Sequence, residues 1–203
     1  PYKIERLHTE NGLPNNKIQN IQLQKDTIWV VTKDAGILKL TYDFNQGFVK
    51  NIRRFNKNNG VKEHAITATA FYNDRFWYAT KTGGLGSIKE NSVTHYSKVL
   101  QQNISIQSMV FNNDKIYLGT LGDGIWSANT NKIQQVRPLK KTVLTSLNIY
   151  QLLFDEKDRL WVGSEKGLDR IVLKNMDIYK VTHYNENDGF TGIETSLNTA
   201  VKT

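Results

Sequence analysis

The chain has 203 residues, of which 38% are hydrophobic and 10% aromatic, enough to bury a core and too apolar for a disordered segment. Its net charge of +8 is spread along the chain, which is typical of a solvated basic surface and leaves an anion-binding face as the alternative. The absence of cysteine excludes disulfides and thiolate metal sites, and no apolar stretch is long enough to cross a bilayer as a helix.

A strand-like motif with an aromatic second residue recurs four times. The copies are Ile28–Thr32, Phe76–Thr80, Ile116–Thr120 and Leu160–Ser164. Their aromatic residues lie 48, 40 and 44 residues apart. Each copy is followed three or four residues later by a glycine and an aliphatic residue, which indicates a tight turn into another strand.

Two further apolar segments complete each unit. The segments before the aromatic strand are Ile18–Leu23, Ile66–Phe71, Ile106–Phe111 and Ile149–Phe154, and those that close the unit are Phe48–Phe55, Ser92–Tyr96, Ile133–Val136 and Asp177–Tyr184. Four short strands per unit of this length are the strand count and period of a β-propeller blade. Helical repeats would need apolar residues at three- and four-residue spacing, and a β-sandwich would not explain four copies of one motif.

We therefore predict an all-β chain of four-stranded antiparallel blades in an incomplete ring. The predicted blades cover approximately 16–55, 64–96, 104–136 and 147–184, with the start of a further blade at 193–203. Since common propellers close with about six to eight blades, we expect the remaining blades elsewhere in a longer parent chain. Exposed blade edges also favour self-association, for example as a dimeric sensor.

Several segments resemble the two-component regulator propeller repeat, which reads G-L-P-x-N-x-V and then L-W-I-G-T-x-x-G-L. Gly12–Ile18 followed by Ile28–Thr32 is one match, Leu160–Leu168 is another, and Asp188–Glu194 is similar to an inter-blade segment of the same proteins. The chain departs from the pattern at several positions. These are Val31 and Ala79 for the usual glycine, Tyr117 for tryptophan, and the loops before Ile66 and Ile106, which lack G-L-P.

The resemblance implies the sensor region of a bacterial hybrid two-component histidine kinase, periplasmic and part of an inner-membrane protein. It implies one of two modes of sensing. The segment either binds a ligand, which is a small saccharide or another solute, or changes its subunit contacts in response to a signal. The resemblance implies no enzyme activity and no cofactor for this segment, with a histidine kinase or another output domain beyond Thr203.

The residues themselves show no catalytic or metal-binding pattern. The four histidines, His8, His64, His95 and His183, have no partner at a metal-binding spacing. Asp155–Asp158 lies where a turn between two strands is required, which favours a turn over a calcium site. We expect the repeated aromatic residues to pack between blades rather than to stack on sugars, and no basic segment has the interleaved aromatic residues of a nucleic acid site.

A ligand is expected on the loops that open on one face of the propeller around the central channel. The candidate binding residues on these loops are Asn15, Asn16, Lys33, Asp34, His64, Lys81, Asp123, Arg137, Lys166 and Asp188. Their amide, carboxylate and cationic groups suit the recognition of hydroxyl and carboxylate groups, although loop residues are also polar simply because they face water.

Two alternative functions stay open. A protein-interaction propeller of the WD-repeat kind is expected to carry Gly-His and Trp-Asp signatures, which this chain lacks. A propeller polysaccharide lyase or hydrolase needs acid and base groups that converge near the channel, and the sequence brings no such groups together.

Overall fold

A computed structural model describes residues 6–43, 45–63, 65–96, 99–100, 104–189 and 195. The described residues form four sheets of four antiparallel strands, which confirms the all-β propeller prediction. In every sheet the spatial order of the strands follows the chain, so each blade is a simple meander. The described sheets form an open arc and do not close into a ring.

The blades are numbered along the chain. The first contains β1 (Ile18–Gln24), β2 (Thr27–Thr32), β3 (Gly36–Asp43) and β4 (Phe48–Phe55), and the second contains β5 (Ile66–Tyr72), β6 (Arg75–Thr80), β7 (Leu85–Lys89) and β8 (Ser92–Tyr96). The third contains β9 (Ile106–Asn112), β10 (Lys115–Thr120), β11 (Ile125–Asn129) and β12 (Arg137–Pro138), and the fourth contains β13 (Gln151–Phe154), β14 (Leu160–Ser164), β15 (Gly167–Lys174) and β16 (Asp177–Tyr184). Short 3-10 helices cover Lys57–Asn59, Ile133–Gln135, Lys141–Val143 and Glu186–Asp188.

Turn residues match the backbone that the hairpins require. Asn73 and Asp74, which join β5 to β6, have φ angles of 48° and 56°, the left-handed pair of a type I′ turn. Gly36 opens β3 at φ +100°, and a Cβ there would lie 2.2 Å from the Phe55 carbonyl oxygen. The glycine that was predicted after the aromatic strand is therefore required at this position for two reasons: its φ angle is positive, and a side chain would collide with the backbone of Phe55.

Three of the four repeated aromatic residues pack between neighbouring blades, as predicted, whereas Trp161 of the fourth blade is partly buried and stacks on Tyr184 of its own blade. Trp29 is 4% exposed and stacks on Phe76 of the second blade, with 4.5 Å between ring centroids. Trp77 lies in an apolar cluster with residues of the third blade, and Tyr117 contacts Phe154 of the fourth. Each blade thus covers an apolar face of the blade before it.

The connectors before the first and second blades and the one after the fourth share one hydrogen-bonded turn. Asn56 N–H donates to Asn59 Oδ1 at 2.6 Å, and Val61 N–H donates to the Asn56 carbonyl at 3.0 Å. His8 to Leu13 and Asn185 to Asp188 repeat the first of these contacts, with Asn11 and Asp188 as acceptors. The loop before Ile66, which lacks the G-L-P letters, therefore adopts the same turn as the segment that carries them.

The third blade differs from the prediction at its outer edge. The fourth strand was placed at Ile133–Val136, but Ile133–Gln135 is a 3-10 helix and the strand is Arg137–Pro138. Ile133 is buried and holds the helix against the blade. The strand therefore begins four residues later and ends two residues later than predicted. The predicted start of a fifth blade at 193–203 lies outside the described residues except Thr195, whose N–H donates to the Ser164 carbonyl at 3.2 Å.

The inner strands lie side by side about one axis. Strand β9 is in contact with both β5 and β13. Gln22 Nε2 of the first blade donates to Thr69 Oγ1 of the second at 2.8 Å, and Thr67 Oγ1 donates to the Ile106 carbonyl of the third. Polar side chains therefore join neighbouring blades on the axis, while apolar side chains join them farther out.

We expect Trp29→Ala to lower the free energy of unfolding by about 3–5 kcal/mol, because it removes a buried aromatic side chain from between two blades. Urea unfolding followed by circular dichroism measures the change. Tyr179→Ala is the matched control, since Tyr179 is 71% exposed and should contribute little. Equal effects of the two substitutions would contradict the packing role of Trp29.

Candidate ligand-binding channel

The inner strands of the four blades line a cavity on the axis of the arc. Its volume is about 280 Å³. It is lined by Asn20, Ile21, Gln22, Ala68, Thr69, Ser108, Met109, Tyr150, Gln151 and Leu152. An adjoining lobe of about 290 Å³ shares Asn20 and Thr69 with it and adds Gln19, Val31, Ile66, Thr67 and Gln107. All four described blades therefore contribute to one channel.

The described lining of the channel is uncharged and combines polar with apolar side chains. Thr69 Oγ1 donates to Asn20 Oδ1 at 3.1 Å and accepts from Gln22 Nε2, so these three side chains form a hydrogen-bonded row. Met109 and Leu152 supply apolar surface in the same cavity. Amide and hydroxyl groups both donate and accept hydrogen bonds, so this lining suits a neutral ligand that carries hydroxyl groups.

The predicted loop residues lie away from this cavity. Eight of them lie on the side of the blades where the innermost strands begin. They occupy either a connector before a blade or the turn between the second and third strands of a blade, and they are Asn15, Asn16, Lys33, Asp34, Lys81, Asp123, Lys166 and Asp188. His64 lies outside the described residues. None of the predicted residues that the structure describes lines either lobe of the channel.

Four of these residues hold loops together. Asn15 Nδ2 donates to the Lys33 carbonyl at 2.8 Å, and Asn16 Oδ1 accepts from Thr9 N–H at 3.0 Å. Asp123 Oδ2 accepts from Trp126 Nε1, and Asp188 Oδ2 caps the Asn185 backbone. Lys33, Asp34, Lys81 and Lys166 have exposed side chains on the rim.

Arg137 was predicted on a binding loop, but it lies in the outer strand of the third blade. It pairs with Ser127 across the β11–β12 ladder, and its Nη2 lies 4.0 Å from Asp177 Oδ1 of the fourth blade. Its guanidinium therefore lies at the outer edge between the third and fourth blades rather than at the rim of the channel.

The structure brings together a polar cluster that the sequence did not reveal. Asp169 is 4% exposed and accepts from Thr145 Oγ1 at 2.8 Å and from Thr145 N–H at 3.1 Å. His183 Nδ1 lies 2.7 Å from Asp169 Oδ1. His183 therefore has a carboxylate partner, because the β15–β16 hairpin places residues 169 and 183 opposite each other. The sequence signal for this pair was the Asn175-Met176 turn. Pairing residues of the two strands outward from that turn, with one bulge allowed, brings Asp169 opposite His183.

This Thr–His–Asp cluster is not arranged for nucleophilic catalysis. Thr145 Oγ1 and Asp169 Oδ1 both contact the same ring nitrogen, His183 Nδ1. A proton relay needs the hydroxyl on one ring nitrogen and the carboxylate on the other. The cluster instead ties the connector at Thr145 to the outer hairpin of the fourth blade.

The equivalent place on the second blade has different chemistry. His95 pairs with Gly86 as His183 pairs with Asp169, and a Cβ on Gly86 would lie 2.2 Å from the Tyr78 hydroxyl oxygen. Burial raises the pKa of Tyr78 above its ordinary value, and burial together with Lys62 lowers the pKa of His95. The buried carboxylate is thus a feature of the fourth blade and not of the repeat.

Next to this cluster, Glu165 connects the turn after β14 to the incoming connector. Its Oε1 accepts from Ser146 Oγ at 2.7 Å and from Asn148 Nδ2 at 3.2 Å. Burial disfavours the charged carboxylate, but these hydrogen bonds outweigh that effect and hold the pKa of Glu165 below its ordinary value. Glu165 therefore helps to fix the loop that leads into the innermost strand.

Comparison with known proteins supports the same architecture. Residues 143–166, which cover the connector into the fourth blade and its first two strands, match the two component regulator propeller family. The chain is 22% identical over 182 residues to histidine kinase P4 of Formosa agariphila, a match that covers 86% of this chain and 10% of the kinase.

Two solved structures have a similar fold. The extracellular domain of the putative one component system BT4673 from B. thetaiotaomicron has a TM-score of 0.66 at 19% identity and covers 89% of this chain and 26% of its own. A catalytically inactive virginiamycin B lyase from Staphylococcus aureus, solved with quinupristin, has a TM-score of 0.66 at 14% identity and covers 88% of this chain and 60% of its own. At these identities the likeness establishes the propeller fold alone. The chain spans about a tenth of the kinase and about a quarter of the extracellular domain.

We expect Glu165→Gln to lower the free energy of unfolding by about 1 kcal/mol at neutral pH, because a carboxylate is a stronger hydrogen-bond acceptor than an amide. Since the folded-state pKa is depressed, this stabilisation is present above the unfolded pKa of about 4.3 and is lost as the pH falls through the folded value. Urea titrations at several pH values should show the two proteins converging in acid. The exposed Glu156→Gln is the control; a difference that is independent of pH would rule out the carboxylate as its source.

Proposed function

We propose that this chain, in which residues 143–166 match the two component regulator propeller family, is part of the sensor region of a two-component signalling protein and binds a small neutral saccharide in the axial channel. The observation that carries the proposal is the channel itself, which is lined by amide, hydroxyl and apolar groups from all four described blades. In this proposal the segment lies in the periplasm and has no catalytic role, and the output chemistry belongs to another part of the parent protein.

The channel offers both kinds of contact that a sugar ring uses. Asn20, Gln22 and Thr69 present donors and acceptors for hydroxyl groups along one wall. Tyr150 and Leu152, on or next to the innermost strand of the fourth blade, present surface for the apolar face of a ring. In this proposal a longer saccharide would reach beyond the channel towards the exposed side chains of Lys33, Lys81 and Lys166, which lie outside its lining.

Binding in this channel would connect to signalling through the spacing of the blades. The lining comes from four separate sheets, and the first two are joined at the channel by the Gln22–Thr69 contact. A ligand that touches several blades stabilises the arrangement in which its contacts are satisfied. The conformational shift would then pass from the propeller to the output domain as a change in the relative positions of the blades.

The test is isothermal titration calorimetry with cellobiose, maltose and lactose as neutral probes. We expect saturable binding of at least one probe and a loss of affinity of about tenfold in Tyr150→Ala, because Tyr150 contributes contact surface to the channel. Tyr179→Ala removes the same side chain from an exposed position and should leave the affinity unchanged. Absence of binding for all three probes, or equal affinities in the two variants, would overturn the channel as the saccharide site.

A further inference from the structure

A second cavity lies at the outer edge of the arc, between the third and fourth blades. The outer strand of the third blade, β12, has two residues, whereas β4, β8 and β16 have eight, five and eight. The short strand leaves a cleft of about 290 Å³. It is lined by Ser127, Ala128, Asn129, Lys132, Gln135, Arg137 and Met176. We call these residues the outer cleft.

Ser127 is a buried polar residue of the outer cleft. It is 0% exposed, and its hydroxyl oxygen is buried with no hydrogen-bond partner among the residues that the structure describes. It pairs with Tyr117 on one side and Arg137 on the other, so all three side chains lie on the face turned to the fourth blade. A buried hydroxyl without a partner is costly, and in native proteins it calls for a specific explanation.

The equivalent residue on the second blade has a partner. Ser87 pairs with Trp77 as Ser127 pairs with Tyr117, and Arg75 Nη1 lies 3.4 Å from its hydroxyl oxygen. Strand β10 of the third blade starts with Lys115 where β6 starts with Arg75. The Ser127 hydroxyl therefore lacks, among the described residues, the partner that its counterpart on the second blade has.

The outer cleft is positively charged, whereas a metal cation or an amine would need negatively charged groups. Lys132 and Arg137 are exposed cations, and no carboxylate is among its described lining residues. Asp177 lies 4.0 Å from Arg137, but the two side chains are 67% and 54% exposed, so this ion pair contributes little and leaves the guanidinium able to bind another anion. Asn129 and Gln135 add amide donors.

We propose that the outer cleft between the third and fourth blades binds a small organic anion, with its acidic group held by Arg137 and Lys132 and its hydroxyl groups by Ser127, Asn129 and Gln135. Met176, in the turn between β15 and β16, supplies apolar surface from the fourth blade. This site is separate from the channel and does not depend on it, because the channel lining is uncharged and the outer cleft is basic. An anion bound here contacts both blades and fixes their spacing at the periphery.

The test uses D-glucuronate as the anionic probe and D-glucose as its neutral counterpart, with the ionic strength held constant by sodium chloride. Nuclear magnetic resonance of the labelled chain should show saturable shifts of the amide signals of residues 127–137 with glucuronate at millimolar concentration. Glucose should not shift them. Lys132→Gln and Arg137→Gln should each weaken the binding about tenfold, and Lys89→Gln, an exposed cation on the second blade, should not.

Ser127→Ala separates binding from structure. If the hydroxyl contacts the anion, the variant unfolds like the parent or is more stable, because it loses a buried unsatisfied group, yet it binds glucuronate more weakly. The proposal is overturned if glucuronate gives no saturable shifts, if glucose gives the same shifts, or if the two charge variants bind as well as Lys89→Gln. Shifts confined to residues 20–22 and 150–152 would place the anion in the channel and also overturn it.

Discussion

Everything else in this structure depends on the docking of one blade against the next. A four-stranded sheet has two faces, and each of the first three blades buries an aromatic residue of its second strand against the next blade, as Trp29 does on Phe76. A single blade would expose that surface to water, so the blades are stable only as an array. The same docking brings the inner strands side by side, and the channel exists because of it.

The two cavities follow from two different departures from uniform packing. On the axis, the inner strands converge but present amides and hydroxyls, and hydrogen bonds such as Gln22–Thr69 replace apolar contact. At the periphery, the short strand β12 fails to cover the neighbouring blade, and cations border the gap. Both cavities lie between blades, so a ligand in either one acts on the spacing of the array rather than on a single blade.

Features that repeat could be predicted from the sequence, and features particular to one blade could not. The aromatic strands and their following glycines gave the blade period, the strand order and the positions of the buried rings. The shift of the third blade's outer strand to Arg137 escaped prediction, because a short apolar segment such as Ile133–Val136 fits a strand and a buried 3-10 turn equally well. The Asp169–His183 pair depends on hairpin register, which a bulge altered by one residue. The function of loop residues was the hardest to predict from the sequence. Asn15 and Asp188 bond to the backbone of the loops through side-chain atoms of the kind that would also bind a ligand.

One third-strand position keeps the same strand pairing in all four blades but differs in its side chain. The residue of the third strand that pairs with the aromatic residue is Lys39 in the first blade and Arg170 in the fourth, and each cation lies over its aromatic ring, at 5.6 and 5.7 Å. In the second and third blades the position is serine. Ser87 has an arginine neighbour, while Ser127 has no partner in the described structure and lies beside a cleft that an ordinary outer strand would fill. With the pairing to the aromatic residue unchanged in all four blades, a small hydroxyl in place of a packing cation, together with a short outer strand, is what distinguishes the proposed binding position of the third blade from the structural positions of the first and fourth.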